Sequence, residues 1–202
     1  MDLAKYKKTW KKQPEVHHKI SISEIYKMTQ AKSTSIVKWI FIIGAIEFIF
    51  MNSLTLISDY SAEKETIEKF GLTTIIYITQ IIAFVITLYF LFMFYKNYRE
   101  ISVIDTTKNL MTKIIQTRKT VRNYVIYNLA LVVFISVIMA IGALKTEYSH
   151  FSMKKSTLFL ITMLVITIFI VFVFWLFYQL LYGILLKKLK KNYRSLVDLE
   201  LK

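Results

Sequence analysis

Glu47 is the one acidic side chain inside a long apolar stretch of this 202-residue chain, and it is where chemistry could be done. It stands nine residues beyond Lys38, roughly 13–14 Å along a helix and close to the midplane of a bilayer. An ionised carboxylate at that depth costs about 2.5–3.5 kcal/mol on insertion scales, so it must turn into a bundle interior or be protonated. By depth its partners are Asn128 and Gln179, each five to eight residues above the inner end of its own apolar run. Gln80 is expected nearer the opposite face. A Glu47–Asn128–Gln179 cluster can serve as an ion or proton step. It can equally be polar glue between helices, worth ~0.5–2 kcal/mol per bond. No basic residue stands deep inside any run to pair with Glu47.

Other chemistries lack their residues. With no cysteine in the chain, disulfides, thiolate zinc sites, iron–sulfur clusters and cysteine nucleophiles are excluded. The three histidines are the adjacent His17 and His18 and the distant His150, a spacing that does not converge on one metal. Phosphate-loop, dinucleotide, hydrolase-elbow and zincin motifs are absent. No cofactor and no enzymatic activity are therefore expected. The abundant aromatic residues, among them Tyr124, Tyr178 and Tyr182, fall within or at the ends of apolar runs and read as an interfacial belt and lipid-facing bulk.

The elements that must position Glu47 are four apolar runs, at about 36–58, 72–95, 124–144 and 157–186. Each is as long as the ~20 residues a helix needs to cross ~30 Å of hydrocarbon. One proline and four glycines leave few breaks, which favours long continuous helices over re-entrant loops. The expected fold is an all-α polytopic membrane protein: four transmembrane helices in two hairpins, with amphipathic cytoplasmic helices beside them. Residues 1–35 form a basic amphipathic segment, 36–186 the transmembrane domain with a helical linker at 96–123, and 187–202 a basic tail.

The net charge of +14 is distributed as a topology signal. Lys and Arg number nine up to Lys38, seven in 96–122 and six from Lys187, against two and three in the alternate loops. That split of 22 against five puts both termini and the linker in the cytoplasm. It matches anionic lipid headgroups rather than nucleic acid. Eleven charged residues precede the first run and no small-residue cleavage site follows it, so that run is expected to stay as an anchor.

The flanking segments carry their own patterns. Leu3, Tyr6 and Trp10 line one side of Met1–Lys12, with lysines around them, as in an interfacial helix or a basic arm. Ser21 and Glu24 have capping-box spacing, so a helix is expected to start at Ile22 and run into the first apolar stretch. In the linker, Ile101, Ile104, Met111 and Ile115 recur at helical spacing, widened by Leu110, Ile114 and Val121. That helix either packs on the N-terminal one or lies on the inner leaflet. Lys96-Asn97-Tyr98-Arg99 returns as Lys191-Asn192-Tyr193-Arg194 at the equivalent exit, a weak internal repeat. Candidate contacts to headgroups or a partner are Trp10, Lys11, Lys12, Arg118, Lys119, Arg122, Lys187, Lys188, Lys190 and Lys191.

The stretches KSTSIVKWIFIIGAIEF (Lys32–Phe48) and YKNYREISVIDTTKNLMTKIIQTRKTVRNYVIYN (Tyr95–Asn128), with the opening MDLAKYKKTWKKQP, carry a resemblance. Together they resemble uncharacterised four-helix inner-membrane proteins of flavobacteria and related Bacteroidetes. The resemblance implies a multi-pass protein of a bacterial inner membrane and brings no assigned activity. The functional expectation is a non-enzymatic scaffold or regulatory protein contacting anionic lipids, a cytoplasmic partner or a second copy of itself, and no nucleic acid. The alternative is a small transporter or channel subunit that uses Glu47.

Overall fold

The computed structural model describes residues 21–57, 61–104, 106–146 and 152–201. Every secondary-structure element among them is a helix. The elements are α1 (Ile22–Ile57), α2 (Ser61–Lys69), α3 (Thr73–Ser102), α4 (Thr107–Thr146), α5 (Met153–Tyr178), a π-helical turn (Gln179–Gly183) and α6 (Ile184–Glu200). Four helices are long and apolar enough to cross a membrane: α1, α3, α4 and the α5–α6 rod. The stretch Met1–Lys12, all three histidines and the candidate contacts Trp10, Lys11 and Lys12 lie outside the described residues.

Local sequence sets the helix ends. At the start of α1 the capping box forms reciprocally, Ser21 N–H donating to Glu24 Oε2 (2.9 Å) and Glu24 N–H to Ser21 Oγ (3.1 Å). The short polar α2, which apolar periodicity does not announce, stops at Gly71 in the left-handed region (φ 66°). Gly71 N–H returns to Glu68 O and Leu72 N–H to Ile67 O, the paired bonds of a Schellman motif. The linker is not a separate helix: residues 96–102 close α3, and 107–123 are the first turns of α4, which runs unbroken to Thr146.

Helix α1 lies against α3 and α6, and α4 against α3 and α5, which closes the four rods into a ring. The packing is lopsided. Val37, Ile40, Phe94, Ile101, Leu110, Ile114, Val121, Leu189 and Leu196 are fully buried, all toward the end that carries Lys96–Arg122 and the basic tail. At the far end the helices show apolar side chains outward: Leu164 is 60 % exposed and Phe169 65 %. In α5 only Tyr178 is buried. A helix apolar on every side and so exposed needs an apolar surrounding. Its hydroxyls are satisfied accordingly: Thr162 and Thr167 donate to the carbonyls of Leu158 and Met163 within the same helix.

The basic end is closed by cross-links between α1 and the end of α3, as in the first of the two readings left open for the linker. Tyr26 Oη donates to Ile104 O (2.8 Å), and Gln30 Nε2 to Ile104 O (2.6 Å) and Ile101 O (3.3 Å). These bonds satisfy carbonyls orphaned where α3 ends. The linker stripe thus packs inward, but on Leu110, Ile114, Thr117 and Val121; Ile115, expected among them, is 48 % exposed. The repeated tetrapeptide is a packing unit. Asn97 Nδ2 donates to Thr120 Oγ1 (3.4 Å) and Asn192 Nδ2 to Ser33 Oγ (3.0 Å). Each asparagine sits three residues after one fully buried residue and four before another, Phe94 and Ile101 in the first case, Leu189 and Leu196 in the second.

One far-end contact is tight enough to predict from. A Cβ on Gly142 of α4 would stand 2.8 Å from Leu72 Cδ1 and 2.9 Å from Phe70 Cβ. Gly142→Val is expected to force the α2–α3 turn off α4 and to cost about 1–3 kcal/mol, as overpacking does. A fall in the melting temperature of the detergent-solubilised protein is the measurement; an unchanged one contradicts the close approach.

Candidate functional site: a carboxylate held by tyrosines

Glu47 lies on α1 seven residues past Ile40, at the level where full burial gives way to the looser far half. Its side chain is turned inward and only 9 % exposed. Two phenols of the fourth rod hold it, one on each oxygen: Tyr178 Oη donates to Oε1 (2.7 Å) and Tyr182 Oη to Oε2 (3.0 Å). The donors are four residues apart, which stacks them on one helix face. Their rings lie 6.2 Å apart at 22°. They straddle the entry to the π-helical turn, an irregularity found often at functional sites.

Tyr124 of α4 completes the enclosure. Its ring meets Tyr178 and Tyr182 edge-on at centroid distances of 6.1 Å and Phe94 at 5.5 Å. Asn128, one turn on, donates from Nδ2 to the Tyr124 carbonyl (2.9 Å), which fixes its amide along α4. Gly44, one turn before Glu47, lets α1 approach α3: a Cβ there would stand 3.2 Å from Phe94 Cδ2. A carboxylate accepts about four hydrogen bonds in all. The two tyrosines fill two of those positions.

On the far side of Glu47 the four rods part around a cavity of about 610 Å³. Glu47, Tyr124, Asn128 and Tyr178 line it together with Gln80, Phe84 and Thr87 of α3. The cavity has a carboxyl group with several hydroxyls and amides, contributed by all four rods, set among hydrocarbon side chains. That is the make-up of a small-molecule site, mostly apolar with a few convergent polar groups.

The structure brings together two of the three residues expected to cluster. Glu47 and Asn128 share the cavity wall, but Gln179 does not join them. Its side chain is exposed and folds over Gly183, its Cδ 3.0 Å from where a Cβ of that residue would be. Neighbours on a helix point about 100° apart, so once Tyr178 faces inward Gln179 must face sideways. The tyrosines read as belt residues, Tyr124, Tyr178 and Tyr182, are core residues instead. A signal for them was present: Tyr178 stands nine residues from Lys187, the same interval that separates Glu47 from Lys38. Gln80, expected nearer the opposite face, reaches the same cavity.

The remaining candidates sit apart, at the basic end. Lys119, Arg122, Lys187, Lys188, Lys190 and Lys191 are exposed there, and Arg118 is half-buried. Among the described residues no group of three or more His, Asp and Glu side chains converges to hold a metal ion.

No curated protein and no solved structure matches the chain. Residues 23–201 match the family described as Domain of unknown function (DUF8845), and the chain belongs to that family.

Proposed function

We propose that this member of the DUF8845 family is a multi-pass protein of a bacterial inner membrane that binds a small lipophilic cation beside Glu47. The observation that carries the reading is the placement of an inward-facing carboxylate, caged by tyrosine rings, on the wall of a 610 Å³ cavity. Aromatic faces and a carboxylate are complementary to an organic cation, and a charge kept in an apolar bundle is by default a functional group. The positive-inside split of lysine and arginine puts the packed basic end in the cytoplasm. The cavity then opens away from the cytoplasm and Glu47 sits at its floor, where a solute entering from outside would stop. Binding at such a floor suits a carrier or a receptor, and neither needs a catalytic step.

The test is binding and uptake of tetraphenylphosphonium by purified protein, with Glu47→Gln as the variant. A unit charge pair at 4 Å is worth about 4 kcal/mol at an effective dielectric of 20. Allowing for desolvation, a loss of about 100-fold in affinity is expected, which corresponds to about 2.7 kcal/mol. Equal affinity in the two proteins removes the carboxylate from the site and the reading with it. Uptake into proteoliposomes then separates a carrier, which accumulates the cation, from a receptor, which only binds it.

A second reading rests on the helical layer at the basic end, where Tyr26 and Gln30 tie α1 to the end of α3. A rigid layer with exposed lysines suits a non-enzymatic scaffold that docks a cytoplasmic protein or a second copy of the chain. Crosslinking in native membranes with and without residues 1–35 tests it. Crosslinks that do not change when those residues are removed tell against it.

A further inference from the structure

A second cavity, of about 480 Å³, lies between α4 and the π-helical turn, on the outer flank of the bundle and nearer its basic end. Its lower rim is cationic, with Arg118, Lys119 and Arg122 from successive turns of α4. Its upper wall is apolar, with Val125 and Leu129 facing Trp175. The order is that of a phospholipid: charge at the level where headgroups lie, hydrocarbon above. One buried group is left wanting a partner. Arg118 Nε is shielded from solvent and has no hydrogen-bond acceptor among the described residues. A guanidinium N–H enclosed without a protein acceptor is costly and rare, and native structures complete such groups with water, an ion or a bound ligand.

The π-helical turn helps to shape this cavity. Gly183 leaves room for the Gln179 side chain to lie along the helix, and both residues line the wall. Gln179 is thus placed on a groove facing outward, which gives it a polar role away from Glu47. Lys119 also borders a third cavity, between α3 and α4 with Lys96, where Lys113 is paired with Glu100.

We propose that this groove is a specific site for one anionic phospholipid, whose phosphate is bound by the Arg118 and Arg122 guanidinium groups and whose acyl chain lies against Leu129 and Trp175. Guanidinium pairs suit phosphate oxygens because their N–H groups form a planar fork. Basic pockets between membrane helices on the cytoplasmic side bind anionic headgroups. The groove shares Leu129 and Tyr178 with the cavity beside Glu47, but its cationic rim of Arg118, Lys119 and Arg122 is no part of that cavity, so the arginine variant tests the groove by itself.

The test is native mass spectrometry of the full chain released from detergent, after incubation with phosphatidylglycerol, phosphatidylcholine or inorganic phosphate. One phosphatidylglycerol is expected to stay bound, at least ten-fold over phosphatidylcholine. Arg118→Gln/Arg122→Gln is expected to cut that retention at least ten-fold. Lys27→Gln/Lys32→Gln, which removes two exposed charges of α1 outside the groove, is expected to leave it unchanged. Equal loss in both variants means diffuse charge attraction only, equal retention of the two lipids means an apolar groove only, and full competition by inorganic phosphate means a free-anion site. Each of these overturns the assignment. If the arginine variant does not fold, photoactivatable phosphatidylglycerol with the unaltered chain decides: crosslinks confined to residues 115–129 and 175–186 support the site, and crosslinks spread over the bundle overturn it.

Discussion

Glu47→Leu/Tyr178→Phe/Tyr182→Phe is expected to fold at least as well as the natural chain while losing cation binding by about 100-fold or more. The three natural residues make up a buried charge and two of its donors. Single substitutions within such a set are costly for reasons unrelated to its net worth. Glu47→Leu alone leaves two enclosed phenol hydroxyls without acceptors, at about 1–3 kcal/mol each. Removing both hydroxyls alone strips the carboxylate of two of its donors, at about 3–5 kcal/mol. Removing all three together leaves the Tyr124 hydroxyl without its Glu47 acceptor but with Asn128 beside it. Apolar replacement of a buried charged set is often neutral or stabilising by about 1–4 kcal/mol. Leucine, phenylalanine and the surrounding Phe94 and Phe174 are also compatible in volume and chemistry. The three substitutions should therefore be strongly non-additive, each single variant less stable than the triple. Equilibrium unfolding in mixed micelles, run beside the binding assay, measures both halves. If the triple variant is the least stable of the series, the cluster is structural glue and the functional reading loses its ground. If it is stable and inactive, the natural chain keeps a carboxylate that its fold does not need.

The sequence makes Glu47 legible for a simple reason: charge in hydrocarbon is expensive, so an acidic residue in a long apolar run stands out without any structure. Its partners are much less legible. Amphipathic periodicity tells which side of a helix faces inward, but α5 is apolar on all sides, so nothing in its pattern distinguishes the face of Tyr178 from that of Gln179. Tyrosine compounds the difficulty, since one amphipathic ring suits an interfacial belt and a buried hydrogen-bonded core equally. The π-helical turn changes the facing of every residue after it and leaves no composition signal. At the basic end the opposite holds. The capping box at Ser21, the Leu110–Ile114–Val121 stripe and the two asparagine tetrapeptides are local patterns with local causes, and the structure uses each of them. What the stripe did not fix was its exact centre, because Ile115 is as apolar as Ile114 and only packing distinguishes them.

The same asymmetry predicts where the bundle is vulnerable. Ile114→Ala is expected to cost about 2–5 kcal/mol, whereas Leu164→Ala should cost less than about 0.5 kcal/mol. Ile114 is fully buried in the layer of α1, α3, α4 and α6. In the cytoplasmic topology proposed above, unfolding of that layer exposes its side chains to water, so both the transfer term and the cavity term apply. Leu164 is 60 % exposed on α5, and lipid tails are as apolar as leucine, so its burial against other helices is not driven by water. Stability is then concentrated at one end of a four-rod ring, and the far halves of the rods are held mainly by their shared base. Glu47 sits on the boundary between the two regimes, with the packed layer on one side and the 610 Å³ cavity on the other. A site there can admit a solute by small movements of the loose halves while the base stays intact. Unfolding free energies of the two alanine variants decide the matter. Similar losses in both would mean that the far end is as firmly packed as the base, and that the cavity has no loosely held walls to open.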